Sequence, residues 1–143
     1  MAALNKFNAF VLDVASAKHQ MQSGTTHVYK VYLTNTAPVA TNTVYGTPAD
    51  LATGNGYTAG GISIGTITGS QTSGTFRFIG GTDPAWTASG GSIGPFQYAV
   101  IYNFTSATQP LIGWYDYGTP LTLTNGNTFT VDIDQVNGVL TIT

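Results

Sequence analysis

The clearest hydrophobic patterning lies toward the end of the chain. Across residues 96–104, Phe96, Tyr98, Val100, Tyr102 and Phe104 fall on one face, and Gln97, Ala99, Ile101 and Asn103 on the other. Across 128–134, Phe129, Val131 and Ile133 point one way while Thr128, Thr130, Asp132 and Asp134 point the other. A period of two is the mark of a strand. Further strands are expected at 28–35, 75–79, 86–88 and 111–117, the last bounded by Pro110 and Gly118, with short strand material between 57 and 69. Residues 36–56 read as irregular, broken by Pro38 and Pro48, with one short helical turn at 48–53.

A different period governs the start. Phe7, Phe10, Val11, Val14, Ala17 and Met21 recur at three- and four-residue spacing. That spacing predicts a helix from residue 5 to about 20, capped by Asn5 and ended at Gly24. Such a stripe packs either on the sheet that follows or, as an arm, on a neighbouring subunit.

The turns fix part of the topology. Asn137-Gly138 suits a two-residue hairpin that pairs Val136 with Val139 and sets Ile142 opposite Ile133. Asn125-Gly126 does not work that way, because it would mix apolar and polar faces. A three-residue loop over 125–127 restores Leu123 opposite Phe129; otherwise the two strands belong to different sheets. The expectation is one mainly β domain over residues 1–143, an antiparallel β-sandwich of jelly-roll type. Residues 1–23 would form the helical arm and 24–143 the sandwich.

Composition sharpens this picture. Charged residues are 7% of the 143, against ~25% in an ordinary soluble domain. Glutamate is absent and Arg77 is the single arginine. A surface of hydroxyls, amides and backbone suits packing against protein better than steering an ionic substrate. The net charge of −2 and the lack of a basic cluster argue against direct nucleic-acid binding. No cysteine is present, so neither disulfides nor thiolate metal sites can form. Residues 1–21 lack the pattern of a signal peptide, and no apolar run reaches the ~18 residues of a membrane span.

Catalytic patterns are weak. Gly61–Gly65 and Gly90–Gly94 match the nucleophile-elbow spacing around Ser63 and Ser92, but neither is placed between a strand and a helix. His19 and His27 form no metal-ligand spacing. Asp132 and Asp134 share a polar strand face, which reads as a solvated edge rather than a calcium or acid/base pair. Asp116, set among aromatics, is expected to be hydrogen-bonded to a turn or to backbone N–H groups. Trp86, Trp114, Tyr115 and Tyr117 could stack on sugar rings, with core packing the plainer reading for the tryptophans. No enzyme activity, cofactor or metal is expected.

Several segments carry a resemblance: 2–11 (ALNKFNAFVL), 34–43 (TNTAPVATNT), 54–61 (GNGYTAGG), 87–95 (TASGGSIGP), 111–118 (LIGWYDYG) and 127–140 (NTFTVDIDQVNGVL). In this order they resemble a family of small virion structural proteins of tailed bacteriophages, the head decoration or cement proteins, some labelled tail fibre. The resemblance implies a protein made in the host bacterial cytoplasm that sits on the capsid surface. Its partners would be the major capsid protein and further copies of itself, as a homotrimer. The contact candidates are Phe7, Phe10, Val11 and Val14. The alternative is a tail-fibre module that recognises host glycan through Trp114, Tyr115 and Tyr117.

Overall fold

The structure is a computed structural model that describes residues 2–143. It is mainly β and antiparallel, with one short helix. In chain order the elements are β1 (Asn5–Lys6), α1 (Ala9–Ala15), β2 (Tyr29–Thr34), β3 (Ile62–Ser63), β4 (Thr68–Thr72) and β5 (Thr75–Ile79). Then come β6 (Ala85–Thr87), β7 (Ile93–Asn103), β8 (Leu111–Leu123), β9 (Thr128–Thr130) and β10 (Leu140–Ile142). Three sheets form, in the orders β1-β8-β7-β2-β3, β10-β5-β4 and β6-β9.

The five-stranded sheet has a core on each face. One side packs Tyr29, Val31, Leu33, Ala99, Ile101 and Ile112 against residues of the two smaller sheets, among them Phe78 and Trp86, and against Val131 just beyond β9. This is the interior of a sandwich-like arrangement. The other side carries Phe7, Tyr32, Val100, Tyr102 and Leu111, with Tyr45 and Trp114 packed on them. Tyr32 and Tyr102 meet edge to face at 5.7 Å, and Tyr45 stacks on Tyr102 at 4.7 Å. Both faces of β7 are therefore buried, and its alternation does not separate inside from outside. A register shift also brings Phe96 into the inner core with Ala99 and Ile101, away from Val100 and Tyr102.

The stretch before β3 substitutes for missing sheet edge. β3 pairs with β2 only at Lys30 and Val31. Beyond it, Leu33 N–H donates to Tyr57 Oη (3.0 Å), and Leu33 C=O accepts from Leu51 N–H (3.1 Å). Residues 48–53 form no helical turn; Pro48 and Ala49 instead turn their carbonyls to the hydroxyls of Tyr32 and Thr34. At Gly61 (φ +71°) the backbone comes so close that an added Cβ would lie 1.8 Å from Val31 O.

The helix is shorter than its stripe predicts. Asn5 and Lys6 pair with Trp114 and Gly113 as an edge strand, so Asn5 caps nothing. At the other end Ala17 takes a left-handed conformation (φ +57°), with Ala17 N–H donating to Val14 O and Lys18 N–H to Asp13 O. This is a Schellman end, reached seven residues before Gly24. The segment packs on its own chain rather than standing off as an arm: Phe7 and Phe10 are buried, and Phe7 lies 4.6 Å from Trp114.

The C-terminal hairpin is not formed. β10 pairs with β5, setting Ile142 opposite Phe76 and Leu140 opposite Phe78. Residues 134–138 make a turn around Asp134, which accepts from the N–H groups of Val136 and Asn137. Leu123 faces Ile93, and Phe129 faces Trp86, so the strands on either side of Asn125-Gly126 do belong to different sheets. β8 also runs past Gly118. Between the Tyr98–Asp116 and Phe96–Leu121 pairs, four residues, Tyr117 to Pro120, stand against Gln97 alone. This wide bulge is where the expected end of the strand lay.

Candidate binding surface

The bulge in β8 opens a cleft at the end of the inner core. Its walls come from β7 (Gln97, Tyr98), β8 (Tyr115, Asp116, Tyr117) and the stretch around β9 (Phe129 to Asp132), and its volume is about 160 Å3. Tyr117 is exposed and meets Phe129 edge to face at 5.9 Å. Tyr115 is only 9% exposed, and its hydroxyl makes no hydrogen bond among the described residues. Burial, with Asp132 and Asp134 adding to it, pushes that phenol up to about 12. Asp116 Oδ1 accepts from Gly118 N–H (2.7 Å) and from Gln97 Nε2 (2.9 Å), which fastens the bulge as expected for this carboxylate.

Strand alternation separates the three aromatics of β8 proposed for sugar stacking. Tyr115 and Tyr117 face the cleft; Trp114 lies on the opposite side of β8 with Phe7. Asp132 and Asp134 do not act together either. Asp132 is exposed at the rim of the cleft, while Asp134 holds its turn through Val136 N–H, Asn137 N–H and Asn137 Nδ2. Those three bonds keep its carboxyl below the usual range.

A second candidate surface is the outer side of α1. The helix turns Phe10, Asp13 and Val14 inward and leaves Val11 58% and Leu12 67% exposed. Of the four contact candidates, Phe7 and Phe10 are buried in their own chain, Val14 is half-buried, and Val11 alone is open. Leu12 escaped the reading because it lies off the stripe. An apolar residue on the far side of an amphipathic helix was the signal that could have found it.

Two polar clusters went unforeseen. Asp50 accepts from the hydroxyls of Tyr45 (2.7 Å) and Tyr57 and from Gly60 N–H (2.6 Å). Burial and this carboxylate hold both phenols well above the ordinary range. Near the helix end, buried Asn103 directs Nδ2 at Lys18 O (3.0 Å), His27 Nδ1 (2.9 Å) and His19 Nδ1 (3.4 Å). His19 Nε2 is buried without a partner, and burial lowers the imidazole to about 4. Asp13, beside it, is buried and ion-paired to Lys18 at 2.7 Å.

These clusters brace the fold. Ser63 ends β3, where its Oγ accepts from Gly65 N–H and a loop leads on to β4, and Ser92 precedes β7, so neither sits on a strand–helix elbow. Among the described residues no three His, Cys, Asp or Glu side chains gather as metal ligands, and no helix is long and apolar enough to cross a membrane. No family model, no curated protein and no solved structure matches this chain, so the likeness to virion proteins rests on the segments quoted above.

Proposed function

We propose that this protein is a structural, non-enzymatic component of a bacteriophage virion, a decoration protein that binds the outer capsid surface and reinforces capsomer junctions as a homotrimer. The observation that carries the reading is the outward face of α1. Two large aliphatic side chains, Val11 and Leu12, stand in solvent on a helix whose Phe10 and Asp13 are buried. The sparse charge supports it, since little desolvation opposes burial of such a surface.

Cryo-electron microscopy of the virion that carries this protein tests the reading. Density for the fold on the outer shell at capsomer junctions, with α1 against the capsid protein, is the expected result. Density confined to the tail would overturn it. Burying Val11 and Leu12 would contribute about 2 kcal/mol each. Val11→Ser with Leu12→Ser should therefore weaken capsid binding at least tenfold, with thermal stability little changed.

A further inference from the structure

The cleft between β7, β8 and β9 has the chemistry of a receptor for one positively charged group. Five aromatic residues line it, Phe96, Tyr98, Tyr115, Tyr117 and Phe129, together with Asp116 and Asp132. Among the described residues neither carboxylate has an ion-pair partner, and the Asp132 carboxylate has no hydrogen bond. This is notable in a protein with six acidic residues. Asp13 is paired to Lys18, Asp50 is occupied by tyrosines, Asp83 accepts from Ile133 N–H, and Asp134 holds a turn.

The geometry points to a site for the cationic end of a lysine or arginine side chain presented by a partner protein. Size is the first reason. At about 160 Å3 the cleft falls short of the ~300–1,000 Å3 of sites that enclose whole small molecules, but it admits the end of one side chain. Aromatic faces attract cations through the ring quadrupole, and carboxylates at the rim add direct attraction. The third reason is the balance of donors and acceptors. Three carboxylate oxygens, Asp116 Oδ2 and both of Asp132, accept nothing from the described residues, and the Tyr115 hydroxyl, on a ring nine-tenths buried, can accept as well as donate, like those of Tyr98, Tyr117 and Thr130. Gln97, the one amide donor in the wall, is already engaged by Asp116. Ammonium and guanidinium groups donate without accepting, so they fit this wall. This inference does not depend on the virion reading, because any partner with an exposed basic side chain would meet the same wall.

The test is an NMR titration of the full chain with butylguanidinium and butylammonium, set against butanol and a neutral methyl glycoside. Saturable shifts in the Tyr98, Tyr115, Tyr117 and Phe129 resonances with the cations, in the millimolar range and weakening with added salt, are expected. Asp116→Asn with Asp132→Asn should weaken cation binding about tenfold. Its thermal unfolding should match wild type, because an asparagine oxygen can still accept from Gly118 N–H. Equal shifts with butanol would reduce the cleft to an apolar groove and overturn the inference. A saturating glycoside without cation binding would overturn it in favour of a carbohydrate site. Silence from every probe would overturn it as well.

Discussion

Tyr57 donates its hydroxyl proton to Asp50 Oδ1, while the Tyr57 hydroxyl oxygen accepts the Leu33 N–H at 3.0 Å. One phenol thus ties the glycine-rich stretch to the sheet. Tyr57→Phe removes both bonds and leaves a buried strand N–H unpaired, which should cost about 1–3 kcal/mol. Asp50→Ala strips the acceptor from two hydroxyls and from Gly60 N–H, and should cost about 3 kcal/mol or more. Urea unfolding of the two variants checks this. An unchanged midpoint for Tyr57→Phe would mean that the contact is not formed in solution.

Gly61 and Gly126 form a matched pair of controls. Both have positive φ, +71° and +88°, but an added Cβ meets Val31 O at Gly61 and open space at Gly126. Gly126→Ala should cost about 1 kcal/mol, the backbone penalty alone. Gly61→Ala also forces the loop off β2 and should cost about 3 kcal/mol or more. Equal losses in chemical denaturation would show that the close approach to β2 contributes nothing.

His19 predicts a pH dependence with a definite sign. Its imidazole titrates near 6.5 when unfolded and at about 4 when folded. Between those values the unfolded chain takes up a proton that the folded chain refuses, so stability falls as pH drops through this window. The full effect is at most about 3 kcal/mol. Above pH 6.5 the contribution is complete, and below about 4 no further loss comes from this group. Asp13 and Lys18 flank the ring and His27 faces it across Asn103, so the difference between wild type and His19→Leu isolates the single histidine. The variant should lose that part of the slope in melting temperature between pH 7 and pH 4.

The strands at 75–79 and 29–34 were legible because β-branched and aromatic residues cluster between strong breakers there. The different-sheet option for Asn125-Gly126 was legible because face matching needs only local sequence. The C-terminal hairpin failed for the opposite reason. Asn137-Gly138 looks like a tight turn, yet Ile142 finds Phe76, a partner 66 positions away that no local rule can select. The helix was overdrawn because Phe7 belongs to the stripe by spacing but to the second core by position. At the cleft, Tyr115, Tyr117 and Asp116 could be named from sequence. Alternation already sets Trp114 on the opposite face, but the bulge after Asp116 and the approach of Phe129 are tertiary events.

That second core has a consequence for how the molecule opens. Amide protons in the paired stretch from Tyr29–Asn103 to Thr34–Tyr98 lie under side chains on both faces of their sheet. Water reaches an ordinary sandwich strand once its outer side breathes, but here the tyrosine-bound coat must lift as well. Hydrogen exchange should therefore release the β4–β5 and β6–β9 pairs first and the β2–β7 pair last, near the limit set by global unfolding. Residues 36–61, which contain little regular structure, would then act as the latch on the slowest-exchanging part of the protein.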